Sequence, residues 1–235
     1  MAGTNEPNNK GKKWIQIIKN GPYVVHGDMP LVRKTQVVSE FGEPLTWSTG
    51  ERIETGEAYD LCRCGGSKNK PFCDNSHRSN DFDGTESADS GMFSERHEIF
   101  EGGTKIVVKR DYSLCMDAGY CANRLTSVKK MVADTDDTQV RAQVMAMIER
   151  CPSGSYSYAI EPEGGDIEPD LPQQIAEVTE ITSQGPINGP LWVTGNIPIQ
   201  RADGRPFEIR NRVTLCGCGL SKNMPLCDGS HRPED

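Results

Sequence analysis

The chain has 235 residues, enough for one large domain or two to three small ones. Acidic residues outnumber basic ones 34 to 26 and no basic stripe with interleaved aromatics appears, which leaves a nucleic-acid partner without support. No apolar run approaches the roughly 18 residues of a membrane span, and the N-terminus lacks a secretory core, so a cytoplasmic protein without a membrane partner is expected, with organelle import left open.

Residues 1–13 are polar and aperiodic and read as a disordered tail. A first unit spans 14–78. Its opening stretch, Asn20-Gly21-Pro22-Tyr23-Val24-Val25-His26-Gly27, reads as turn, short strand and turn. From Gly27 to Cys62 there are 35 residues, whereas the matching interval later in the chain, Gly195 to Cys216, has 21; the extra residues, near 35–56, read as a surface loop. The unit ends on CRCGGSKNKPFCDNSH, residues 62 to 77. His26 and His97 are read as structural or solvated.

Residues 79–96 have the composition of a linker. A different module follows at 97–160: TKIVVK at 104–109 reads as a strand, 138–150 as a helix with Val140, Val144, Met147 and Ile148 on one face, and SYSYAI at 155–160 as a second strand. Asp134, Asp136 and Asp137 suit the start of that helix. Cys115 and Cys121 precede it, and Cys151-Pro152 follows it. Residues 161–187, rich in Pro, Gly and acids, read as a connector. A second unit spans 188–235, beginning Asn188-Gly189-Pro190 and closing on CGCGLSKNMPLCDGSH, residues 216 to 231.

The two closing stretches are a duplication. Cys62, Cys64, Cys73 and His77 recur at identical spacing as Cys216, Cys218, Cys227 and His231, together with a shared Gly, Ser-Lys-Asn, Pro and Asp. Three thiolates and an imidazole suit zinc or an iron-sulfur cluster rather than calcium or magnesium. Structural zinc sites usually draw on C-x2-4-C and H-x3-5-H pairs, so a first pair of C-x-C and a second of C-x3-H favours a cluster, with zinc as the alternative. Cys62 and Cys64, two apart in an extended segment, point the same way. Cys73 and His77 are brought together if a helix starts near Asp74. Nine cysteines form three triplets, and the odd number argues against a complete set of disulfides.

Residues 216 to 231 meet in full the pattern C-x-C-x2-[S/T]-x3-P-x-C-D-G-[S/A/T]-H, so the chain resembles the CDGSH iron-sulfur (NEET) family. The first copy departs at Asn75, where the family has Gly, but Asn tolerates positive φ better than most residues. The resemblance implies a [2Fe-2S] cluster per motif, the C-x-C pair on the inner iron and the Cys and His on the outer one. Cys115, Cys121 and Cys151-Pro152 resemble a divergent single-cluster ferredoxin domain in which Ala118 stands where a middle cysteine is expected, implying a [3Fe-4S] or [4Fe-4S] cluster. Asp117 lies one position from the place where a carboxylate sometimes substitutes; three buried structural cysteines are the bland alternative.

The expected architecture is α+β: two small β-rich CDGSH units forming an intramolecular pseudo-dimer, as the family's strand-exchanged dimers imply, with an inserted ferredoxin-like β-α-β module and no second chain required. The expected function is one-electron transfer with an unidentified redox or cluster-acceptor protein. The alternatives are cluster transfer, redox or pH sensing through the histidine ligands, or a zinc-stapled scaffold. No phosphate loop, nucleophile-base pair or nucleotide fingerprint supports an enzyme.

Overall fold

The computed structural model describes residues 11–233 apart from 101, 104 and 162, so most of the tail expected at 1–13 lies outside the described residues. The described residues form a mixed α+β structure of twelve strands in three small sheets, with few helices. In the first unit, β1 (Trp14–Ile17), β2 (Tyr23–His26), β3 (Leu31–Val38), β4 (Pro44–Ile53) and β5 (Ala58–Leu61) lead into the first cysteine motif. Next come α1 (Phe93–Arg96), β6 (Glu98–Phe100), β7 (Val107–Arg110), α2 (Val128–Met131), α3 (Thr138–Arg150) and β8 (Tyr156–Ala159). The chain closes with β9 (Gln174–Thr182), β10 (Gly185–Thr194), β11 (Ile199–Gln200), β12 (Arg212–Leu215) and the second motif.

The strands do not stay within their own units. One sheet has the order β11-β1-β2-β5 and another β12-β10-β9-β3-β4. Thus β11 pairs in parallel with β1 (Ile15 opposite Ile199), and β3 pairs in parallel with β9 (Leu31 opposite Ile175). Each unit lends its third strand to the other. Their inward side chains form one core, in which Ile15, Val25 and Leu31 from the first unit meet Ile175, Val193 and Ile199 from the second. Strict alternation in β1 and β5 puts the apolar residues on that face.

Three stretches differ from their reading as loop or linker. The extra residues near 35–56 are not a surface loop: they extend β3 and form β4, turned by a hydrogen bond from Ser39 N to Glu43 O at 2.8 Å. Thr46, Trp47 and Thr49 are strand formers, and Trp47 packs on Tyr120 and Trp192 at ring separations of 5.4 and 5.5 Å. Residues 79–96, polar as they are, anchor Ala88 and Phe93 in the core, and the Ser87 and Ala88 N–H groups both donate to Met224 O. The stretch 161–187 contains β9, whose alternating QIAEVTEIT is flanked, and so obscured, by turn residues.

In the middle, β6, β7 and β8 form an antiparallel sheet backed by α2 and α3. The helix spans the predicted residues because Asp137 caps it, accepting from Gln139 N at 2.7 Å and Val140 N at 3.4 Å, and because Val144 and Ile148 pack on Val108 and Tyr158. Among the described residues no helix is long and apolar enough to cross a membrane.

Candidate metal centres

Each motif hangs on a single β-bridge, Leu61 with Phe72 and Leu215 with Leu226. Beside the first, Cys62 N donates to Pro71 O and Cys73 N to Asp60 O; beside the second, Cys216 N donates to Pro225 O and Cys227 N to Thr214 O. The bridge thereby sets the C-x-C segment alongside the later cysteine. Within it the sulfurs of Cys62 and Cys64 lie 4.0 Å apart and those of Cys216 and Cys218 3.6 Å apart, the same-side placement expected of residues two apart. Cys73 Sγ lies 3.5 Å from His77 Nδ1, and Cys227 Sγ 3.4 Å from His231 Nδ1.

The second pair is not brought together by an α-helix. Asp74 accepts from Ser76 N at 3.0 Å and from Lys68 N at 2.9 Å, tying a tight turn that runs into a single 3-10 turn at Ser76–Arg78. These bonds, with one from the Ser76 hydroxyl, hold the Asp74 carboxyl down to about 2. Asn75 stands at φ 70, as its tolerance of positive φ allows, where Gly229 stands at φ 90.

Backbone N–H groups converge on the sulfurs. Asn75 N reaches Cys73 Sγ and Leu220 N reaches Cys218 Sγ, each at 3.4 Å. The Cys218 thiol and the N–H groups of Ser221, Cys218 and Gly219 hold Cys216 below the ordinary thiol value, whereas burial pushes Cys227 up. Such N–H groups suit sulfurs that carry negative charge. Among the described residues no three His, Cys, Asp or Glu side chains converge to hold one bare ion; in the motifs the donors come in pairs.

The two motif loops meet back to back. A Cβ on Gly65 (φ +75) would come within 2.0 Å of Cys218 O, and one on Gly219 (φ +80) within 2.5 Å of Cys64 O, so both positions require glycine. Their surroundings differ. The Cys73 and His77 side of the first motif is partly open. At the second, the His231 side chain is 3% exposed and its Nε2 lies 3.0 Å from Glu180 Oε2, itself 1% exposed. Arg232 Nε donates to the same oxygen at 2.8 Å. Burial pushes the Glu180 carboxyl up, but the His231 bond and the Arg232 charge outweigh it, and the net shift is downward. Neither Glu180 nor Arg232 was singled out from the sequence; Glu180 lies 51 residues from His231, across a strand whose alternation was the only available signal.

The third triplet also gathers. Cys115, Cys121 and Cys151 line one cavity with Arg110, Tyr156 and Ser153. Arg110 Nη2 lies 3.7 Å from Cys115 Sγ and its guanidinium sits over the Tyr112 and Tyr156 rings. Asp117, also at the cavity, has its side chain 85% exposed and 3.8 Å from Arg232, next to the second motif. His26 stacks on Trp14 and His97 on Phe93, both apart from the cysteines.

Paired soft donors, duplicated about a shared core, define a metal-binding protein of the thiolate-imidazole class. Comparison with family models places it further: residues 20–78 and 188–232 match the iron-binding zinc finger of CDGSH type, and residues 102–161 match the divergent 4Fe-4S mono-cluster domain. The chain thus carries two CDGSH-type iron-sulfur regions with a divergent 4Fe-4S region between them. Searches of curated proteins and of solved structures found no match.

Proposed function

We propose that the chain is a one-electron carrier. In this reading Cys62, Cys64, Cys73 and His77 hold one [2Fe-2S] cluster, Cys216, Cys218, Cys227 and His231 hold a second, and Cys115, Cys121 and Cys151 hold a [3Fe-4S] or [4Fe-4S] cluster. Side-by-side pairs of the C-x-C and C-x3-H kind favour two irons per motif over a single zinc, whose structural sites usually draw on C-x2-4-C and H-x3-5-H pairs. The exchange of β3 and β11 supports an intramolecular pseudo-dimer, a monomer that needs no second copy. The clusters supply the one-electron chemistry; the chain supplies ligands, N–H groups and burial that tune it.

The observation that carries the reading is that the three loops touch in series. Gly65 and Gly219 pack against each other's motif, and at Gly229 a Cβ would lie 3.1 Å from Met116 O of the middle loop. Asn223 Nδ2 donates to Ser113 O at 2.6 Å, Arg232 donates to Asp117 O, and Cys227 shares an apolar cluster with Met116 and Ala118. Three isolated structural staples have no need of such adjacency. A second reading, cluster transfer to an acceptor protein, draws on the partly open Cys73 and His77 side of the first motif.

Iron, zinc and acid-labile sulfide per chain, with EPR before and after dithionite, test this. About seven irons and eight sulfides with an oxidised-state signal are expected for a [3Fe-4S] middle cluster, and about eight of each without that signal for a [4Fe-4S] one; about four irons would leave the middle triplet structural, and zinc without sulfide would overturn the redox reading.

A further inference from the structure

The cluster loops repeat, but the support behind their histidines does not. Tyr23 corresponds to Leu191 in the duplicated sequence, and these pair with Ile17 and Glu177. Thus Ile17, the last residue of β1, corresponds to Glu177, whereas β9 runs on to Thr182. Glu180 lies in that extension, with no strand residue of the first unit corresponding to it. It is held from several sides: β9 lies between β10 and β3 in its sheet, Ile187 is its register partner on β10, and Arg232 Nε binds its Oε2. Its other oxygen, Oε1, is buried without a partner. An ionic pair so deeply enclosed costs desolvation energy, and is weak evidence for stability alone.

We propose that Glu180 is a positioning residue of the second CDGSH site, which it sets apart from the first in reduction potential and in retention of its metal. The inference rests on the iron-sulfur reading above. With Nδ1 directed to the metal beside Cys227, the His231 proton must sit on Nε2, where Glu180 accepts it. A carboxylate behind a metal-bound imidazole fixes its tautomer and ring orientation and makes it a stronger donor. A stronger donor favours the oxidised metal, so the second site lies at lower potential than the first, where no carboxylate among the described residues bonds His77 in this way. Arg232 moderates the effect by sharing the same oxygen. The chain thus carries one site built to retain its metal and one more readily reduced.

The test is an EPR-monitored redox titration of the anaerobically purified full chain. His77→Cys, which alters only the first site, assigns the two signals. Glu180→Gln should raise the potential of the second site and leave the first unchanged. Glu180→Leu should raise it further and weaken retention of that site's iron against EDTA by about 10- to 100-fold. Arg232→Gln keeps the carboxylate and removes its counter-charge, so it should move the second potential down; a merely structural pair would not give opposite signs. A second-site potential unmoved in Glu180→Gln and Arg232→Gln, with iron and sulfide intact, would overturn the proposal. Wild-type protein holding zinc and no sulfide would instead defeat the iron-sulfur reading on which it stands.

Discussion

The two CDGSH-type motifs have nearly the same donors in nearly the same places, yet they are built into the molecule differently. Their Cys-Cys distances are 4.0 and 3.6 Å, their Cys-His distances 3.5 and 3.4 Å, and their Asp-capped turns share two backbone bonds, from Lys68 and Ser76 in one and from Lys222 and Ser230 in the other. The first is partly open at Cys73 and His77. The second is enclosed by the extended β9, by the β3–β4 hairpin beyond it and by the loop carrying Cys115 and Cys121. Duplication therefore fixes the donor set, while insertions outside the repeat decide how far solvent and partners can approach it.

The largest effect comes from breaking the contact that joins the copies. Gly65→Ala and Gly219→Ala each place a methyl group against a carbonyl of the other motif while straining a positive-φ residue. Overlap with backbone cannot be relieved by a rotamer change, so each variant should lose cluster content and unfold several degrees lower, Gly65→Ala more than Gly219→Ala. Iron per chain and thermal unfolding check this; equal retention of both sites would mean that the loops do not depend on each other.

A smaller effect is expected where the copies trade different side chains across the shared core. Tyr23, fully buried, donates its hydroxyl to Cys216 O at 2.9 Å or to Pro225 O at 3.1 Å, so a first-unit residue braces the second motif. Its counterpart Leu191 lies beside Cys62 and Pro71 and has no hydroxyl to offer. Tyr23→Phe should cost about 1–3 kcal/mol in unfolding free energy, since buried carbonyls lose a donor, and the loss of iron should fall on the second site, farther from Tyr23 in sequence. Loss from the first site would show that the hydroxyl braces its own unit instead.

Much of this asymmetry was not legible in the sequence, for physical reasons visible in particular residues. The proximity of the motif side chains was legible because it is local: side-chain alternation sets Cys62 beside Cys64, and a spacing of four sets Cys73 beside His77 whichever turn joins them. Helix α3 was legible because cap and apolar stripe agree. The exchange of β3 and β11 was not a local property, and was expected only through family resemblance. The hairpin of β3 and β4 falls outside the repeated stretches and shows in their alignment only as a gap. The strand formers Val37, Val38, Thr46 and Trp47 on either side of the Gly42 turn were a sufficient signal. Glu180 was hidden because a carboxylate in a strand reads as solvent-facing until β3 and β4 are placed beside it.

The smallest effect separates that explanation from the one departure of the first motif from the family pattern. Asn75 occupies a left-handed conformation at φ 70 where the second motif has Gly229. A left-handed conformation costs an ordinary L-residue about 1–2 kcal/mol, less for Asn, whose side chain forms local hydrogen bonds. Glycine removes that strain but loses about 0.5–1 kcal/mol more in backbone freedom on folding. The two terms oppose each other at similar size, so Asn75→Gly should change stability by less than about 1 kcal/mol, leave iron and sulfide per chain unaltered, and leave the first-site potential where it was. If Asn75→Gly instead gave the first site the retention and potential of the second, the difference between the copies would lie in the turn itself, and the enclosure by β9 and Glu180 would be incidental to it.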